Sequence, residues 1–439
     1  MGERTINRRQ LVGAMGAISA ALPIQAKPST ERSDFSAEEL ASDIETYARF
    51  GSHQTGSKGD LATVDWISKR LRSLGYNTTL NPVEVPYFEP RKVGILHNEN
   101  FFRCIPQHPV TPTPTQPVEA SLVERRSDLD DEQLQGNIAV ITLPFARHST
   151  TATPSMANSL LAAKTAGAAG VVLITDGPTR LAIALNAELA APFAGIPIVV
   201  MGSKDAPAIH ALARKNTRVR LIIDGASGRR SGYNVIARRQ RNGKSLVLTT
   251  PLSGWFQCAG ERGSGIAAWL AIAKWLAANY PQLSLVVAGF VGHEFENHGS
   301  KYFMRDDAPP PSEVGLWLHV GSGFATRDWH EAGPGSLWPL PSADPQRFLI
   351  AANKFLPLVK TAMAGVPGME QPYEATSDRA AGEAKAILEA GYTQLIANFG
   401  GHRFHHTEND GPETTSGMLT AHAANAMRVA LSDILRNAW

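Results

Sequence analysis

Cysteine is almost absent from this 439-residue chain, Cys104 and Cys258 being the only two. That excludes a disulfide framework and a metal cluster built on thiolates. The pair either bridges in an oxidising compartment or stands as two buried free thiols. An excess of charge of one sign is also missing: 42 basic and 40 acidic residues leave a formal +2. No overall field therefore points to nucleic acid or to an anionic membrane, and a run such as Arg238-Arg239-Gln240-Arg241 reads as a solvated face. Past the N-terminus no apolar stretch is long enough to cross a bilayer, which excludes a membrane span. The motif His-Glu-x-x-His, which places two metal ligands on one helix, does not occur.

What the chain does have is enough apolar residue, 43%, to bury a large core, and enough length for two domains. Asn7-Arg8-Arg9-Gln10-Leu11-Val12 precedes a Gly- and Ala-rich weakly apolar stretch that ends at Ile24-Gln25-Ala26. This pattern reads as a twin-arginine export signal over residues 1–26, cleaved after Ala26, and predicts a periplasmic or secreted protein.

Apolar residues recur at helical spacing from Ala37 to Ala48 and from Leu61 to Leu74, where Gly75 closes the second helix. The tight polar loop Gly51-Ser52-His53-Gln54-Thr55-Gly56-Ser57 lies between them. A Pro-rich tract from Pro106 to Pro117 breaks the pattern and marks a domain junction. Short β-rich runs follow at 137–143, 166–175 and 196–200, with helical patterns at 156–168 and 205–215, so that residues 91–227 read as a compact insert. The remainder alternates strand and helix. Residues 245–250, 283–290, 314–320 and 393–398 are near-continuous apolar strands, Ser264 caps a helix to Ala278, and a last helix runs from about Glu413 to Asn437. Apolar strands separated by helices predict a mostly parallel sheet covered on both faces, a three-layer α/β/α sandwich. In such sheets functional residues collect in loops at the carboxyl ends of strands.

Four of those ends carry unusual residues: Pro251-Leu252-Ser253 with Gly260-Glu261-Arg262-Gly263-Ser264, then Gly292-His293-Glu294, then His319, and finally His402-Arg403-Phe404-His405-His406-Thr407. Imidazoles and carboxylates brought from separate strands to one rim are a zinc donor set. On spacing alone, His402, His405 and His406 read better as a surface cluster than as ligands. Gly321–Ser342, rich in Gly, Pro and Trp, is either a lid or an ordered surface loop.

The order of these segments resembles the zinc exopeptidase family of bacterial aminopeptidases and glutaminyl cyclases with an inserted protease-associated domain. The resemblance spans nearly the whole chain beyond residue 26 and rests on Gly51–Ser57, Ala162–Thr175, Tyr233-Asn234-Val235-Ile236, Phe290–Ser300 and His406-Thr407. It implies an exopeptidase-like domain of residues 27–90 and 228–439 interrupted by a protease-associated domain of residues 91–227. It also implies a metal site, which this chain has altered. The family's His-x-Asp is replaced by Pro251-Leu252-Ser253, and its bridging Asp by Glu261. The general-base carboxylate becomes His293, and a later Asp ligand becomes His319. Glu294 and His406 keep the ligand positions. The resemblance thus implies one zinc ion on Glu261, Glu294 and His406, with His293 as general base and with Arg262 and His319 facing the substrate.

On that reading the chain is an exported zinc-dependent peptidase or amidohydrolase acting on a peptide or small amide. Its rim is less acidic than a free α-amine would require, so a blocked amine or a carboxylate suits it better. The rival reading is a catalytically inactive binding protein that keeps the scaffold. Convergence of Glu261, Glu294 and His406 on one point would support the enzyme; Arg262 in that place would support the rival.

Overall fold

Two alternating sets of apolar side chains govern the architecture. In the strand Ser245–Pro251, Leu246 and Leu248 join one buried cluster and Val247 another; Leu285 and Val287 against Val286 and Ala288, and Leu316 and Leu318 against Trp317, divide in the same way. Strand side chains alternate in direction, so each strand needs cover on both faces. One face is closed by the helices Lys58–Ser73, Ser264–Asn279 and Gly417–Asn437 through Ile67, Trp269 and Met427. The other is closed by His298–Asp306 and Gly382–Glu389 through Phe303 and Ile387. The expected α/β/α layering results. The computed structural model describes residues 34–114, 117–125 and 131–439, with Phe35–Trp439 forming one compact unit. The expected export signal, residues 1–26, lies outside the described residues. No helix among the described residues is long and apolar enough to cross a membrane.

At the centre, Leu395–Gly400, Val314–Val320, Ser245–Pro251 and Ser284–Phe290 lie side by side and parallel. Their carboxyl ends therefore share one edge; Ser253, His293, Glu294, His402, His405 and His406 follow those ends, and His319 is the penultimate residue of its strand. Antiparallel strands flank the parallel core, Arg347–Ala351 on Leu395–Gly400 and Arg218–Arg239 on Ser284–Phe290.

Residues 91 and 227, expected as domain limits, fall inside one long antiparallel ribbon, Asn77–His97 against Arg218–Arg239, whose register shifts between Pro90 and Lys92. The ribbon leads into Val118–Glu124, Ile138–Phe145, Gly170–Asp176 and Ile198–Gly202, which pair in parallel. This region buries apolar clusters of its own around Val172 and Leu173.

Helix limits follow local chemistry. Ser36 and Ser57 cap the first two helices by accepting the N–H of Glu39 and of Asp60, as N-cap hydroxyls do. Gly75 ends the second helix at φ +83°, where a side chain would be strained. Ser264 is not the cap expected of it. A π-helical turn, Ala259–Gly263, leads into this helix, and the Ser264 hydroxyl donates back to the Gly260 carbonyl. Most of the segment 321–342 is a hairpin, Arg327–Gly333 paired with Ser336–Ala343. Cys104 and Cys258 are both free and buried.

Asn234, buried in the ribbon, fastens the turn that carries His293 and Glu294. Its Oδ1 accepts the Val291 N–H at 3.1 Å, and its Nδ2 donates to the Gly299 carbonyl at 2.8 Å. Substituting Asn234→Ala leaves the buried Val291 N–H without a partner and removes the side-chain donor to the Gly299 carbonyl, and at about 1–3 kcal/mol for such a stranded group the loss should be about 1–3 kcal/mol, read from urea unfolding. A loss below about 1 kcal/mol would show that the turn is held elsewhere.

Candidate metal centre

The carboxylate of Glu261 is fully buried and sits where the strand ends meet. Its main chain is clamped by Asp410, which accepts the N–H of Gly260 at 2.9 Å and of Glu261 at 3.0 Å and is itself held by the Thr414 hydroxyl. The fit admits only glycine at 260, because a Cβ there would meet Thr414 Oγ1 at 2.3 Å. His402 Nε2 reaches the same carboxylate of Asp410 at 3.2 Å. His402, His405 and His406 are all buried and so do not form the surface cluster that spacing alone allowed.

Three ligand atoms, one each from Glu261, His293 and His406, lie within 4.8 Å of one another. His406 Nδ1 is 2.8 Å from the Ala184 carbonyl, which can only accept, so Nδ1 carries the proton. Its Nε2 then faces Glu261 Oε1 at 3.2 Å. A bare lone pair and a carboxylate oxygen repel at that distance unless a proton or a metal cation lies between them. His406 is held for this at φ +58°, a left-handed conformation that a non-glycine residue rarely adopts.

His293 is oriented by Glu383, whose Oε1 is 3.0 Å from Nδ1, leaving Nε2 toward Glu261 Oε1 at 3.8 Å. His319 shares this carboxylate. The Trp317 indole donates to Thr249 Oγ1, whose proton is left for His319 Nδ1, and His319 Nε2 lies 3.9 Å from Glu383 Oε2. Burial alone would raise the Glu383 carboxyl, but His293, His319 and Arg262 bring it down to about 2. Burial lowers His319 to about 4, so it is neutral at physiological pH. Glu383 escaped the reading of the sequence because an acidic residue in the first turn of a helix, Gly382–Glu389, is an ordinary dipole partner. Nothing local marks its reach.

Arg262 is as buried as the residue it neutralises. Its Nη2 lies 2.8 Å from Glu261 Oε1 and its Nε donates to the Ser253 carbonyl at 2.9 Å, but neither Nη donor has an acceptor in hydrogen-bonding geometry. Burial would raise the Glu261 carboxyl, yet Arg262, His406 and His405 hold it well below the usual carboxylate range. Its second oxygen, Oε2, is buried with no partner.

Glu294 is not brought into this cluster. Thr55 donates to it twice, N to Oε1 and Oγ1 to Oε2, each at 2.8 Å, and Ser253 Oγ donates to Oε2 at 3.0 Å. Ser253 stands where the resembled family carries an Asp; a hydroxyl there attracts the neighbouring carboxylate that an Asp would repel. The structure therefore joins Glu261 and His406 with His293, and leaves Glu294 in a separate, satisfied network.

Two imidazoles and one carboxylate are a zinc donor set with room for a further ligand. The orphaned Glu261 Oε2 and the facing lone pairs fit one cation. The Arg262 guanidinium contacts the same oxygen, Oε1, that the imidazoles face, and leaves Oε2 open. A cavity of about 360 Å³ opens beside the cluster, lined by His293, His319, His405 and Glu383 together with Phe348 and Phe399.

No family model matches the sequence, and no curated protein matches it. Solved structures do resemble the fold. A zinc aminopeptidase from Bacillus subtilis superposes with a TM-score of 0.71 at 15% identity, covering 91% of this chain and 95% of that one. The Peptidase M28 precursor from Shewanella amazonensis SB2B gives 0.68 at 19%, covering 92% and 96%. The aminopeptidase from Aneurinibacillus sp. strain AM-1 gives 0.65 at 16%, covering 91% and 93%. The architecture is thus the zinc-exopeptidase one implied by the order of segments.

Because Glu261 is fully buried, its pairing with Arg262 can be tested without a metal. Arg262→Met should cost roughly 3–5 kcal/mol in denaturant unfolding, as stranding a buried charge does, and Glu261→Gln in the same chain should restore most of it. A double variant no more stable than the single one would refute the pairing.

Proposed function

We propose that this chain is a metal-dependent hydrolase of peptide or amide bonds that works with a single zinc ion. The observation that carries the reading is the convergence of Glu261, His293 and His406 at the carboxyl edge of an aminopeptidase fold, beside a cavity. The zinc aminopeptidases that share the fold support the choice of reaction and of metal. His293 takes the third ligand position instead of Glu294, and its role is that of a ligand backed by a carboxylate, an arrangement that fixes ring orientation and raises basicity. His406 is backed in the same way by the Ala184 carbonyl.

Bound zinc would polarise the scissile carbonyl and acidify a water. The remaining work falls to the chain's own groups. Glu383 and Ala184 hold the two imidazoles with Nε2 inward. Phe348 and Phe399, stacked at 5.7 Å between centroids, offer an apolar wall to a substrate side chain. His405 and Ser149, joined at 3.0 Å, also line the cavity. Neither His319, at about 4, nor Glu383, at about 2, is tuned as a base for neutral pH. Both acidic groups on the cavity wall are already engaged, Glu383 by His293 and Glu296 by Thr150, which favours substrates without a free α-amine.

The proposal extends to location and organisation. The Arg8-Arg9 motif supports export by the twin-arginine route to the periplasm or beyond. The parallel strands and separate apolar clusters of residues 91–227 support their being a protease-associated insert.

The alternative, a non-catalytic binding protein, would keep the Arg262–Glu261 pair and take up no metal, so one experiment separates the two. Purified chain should bind one equivalent of zinc and hydrolyse N-acylated amides faster than free-amino p-nitroanilides. Chelation should abolish turnover, zinc should restore it, and His406→Ala should lose both metal and activity, by at least about 100-fold. A chain that folds, takes up no zinc and cleaves nothing is the binding protein.

A further inference from the structure

Asn186 stands between two groups whose hydrogen-bonding roles are fixed. The Trp255 indole N–H can only donate and lies 2.8 Å from Asn186 Oδ1, so the amide NH2 is turned to His293 Nε2, 3.2 Å away. On the far side of the ring, His293 Nδ1 donates to the Glu383 carboxylate. The imidazole is therefore a single tautomer, and its one lone pair, on Nε2, is capped by Asn186. That lone pair is the one a cation shared with Glu261 and His406 would require, since Nδ1 is spent on Glu383.

The cap is not a loose side-chain contact. The Asn186 N–H donates to the Ser149 carbonyl at 2.9 Å, and its own carbonyl accepts from Thr151 N at 2.8 Å and Thr151 Oγ1 at 3.0 Å. On either side, Ala184 N donates to His406 O and Ala187 N to Glu294 O. One short arm, residues 184–187, thus touches both histidines of the cluster.

We propose that Asn186 gates the metal site: it occupies His293 Nε2 while no cation is present and must release it for a cation to bind. Metal uptake is thereby coupled to the arm that carries it. The inference rests on the metal-binding reading above, and its sign is distinctive. A residue that merely supported His293 would weaken metal binding when removed, whereas removing a gate strengthens it.

The test is a titration of the full chain, freed of metal, with zinc alone against a chromophoric chelator. Asn186→Ala keeps the backbone bonds of the arm and should tighten zinc binding by about 3- to 10-fold, the worth of one hydrogen bond that no longer has to be broken. Should that variant fail to fold, Trp255→Phe decides: it keeps an aromatic ring, removes the donor that orients the amide, and should also tighten binding. Unchanged or weaker affinity in the deciding variant, with wild type binding normally, overturns the gate and leaves the metal site standing. Wild-type chain that takes up no zinc overturns both.

Discussion

A buried carboxylate with one oxygen left unpartnered organises this molecule. Glu261 is enclosed at the meeting point of four strand ends, where desolvation of a lone anion would cost several kcal/mol, and the surroundings are built around that cost. Arg262, the next residue, supplies a full positive charge at 2.8 Å. His406 approaches at 3.2 Å, His405 at 3.7 Å and His293 at 3.8 Å. Even so, Oε2 has no partner. Arg262 and the three imidazoles all approach Oε1 while Oε2 is left open, and this asymmetry underlies the proposed function.

The same constraint explains the substitutions at the rim. Where the resembled family has the Asp of its His-x-Asp and a later Asp ligand, this chain has Ser253, which donates to Glu294, and His319, which faces Glu383. Each of these two altered positions serves a neighbouring carboxylate, so that the region remains internally paired. Glu294 illustrates the result: an acid in a ligand position is drawn into bonds with Thr55 and Ser253 and away from the cluster. The arm at Ala184–Ala187 closes the other side, so residues from the 91–227 region take part in the site and do not simply pack beside it.

Much of the fold was legible because it depends on periodicity. The apolar runs at 245–250, 283–290 and 314–320 lie within a residue or two of the observed strands, and the parallel order that brings their carboxyl ends together follows from helices between them. Less legible was the long ribbon Asn77–His97 with Arg218–Arg239, whose exposed stretches and prolines hide a strand. Boundaries drawn by composition at 91 and 227 fell inside it for that reason. The entry to the helix at Ser264 was misread because a π-helical turn leaves no pattern in the order of residues.

By itself the sequence determined which residue types reach the functional edge: Glu261, Arg262, His293, Glu294 and His406 follow strand ends and His319 stands at the end of one, and strand ends are local properties. Which of them meet was decided only in three dimensions. Selecting His293 over Glu294 depends on Thr55 and Glu383, residues far away along the chain, and on Asn186, whose orientation is set by Trp255. Hydrogen bonds between distant segments have no period and no composition, so the chain had to fold before the partners of each charge could be known.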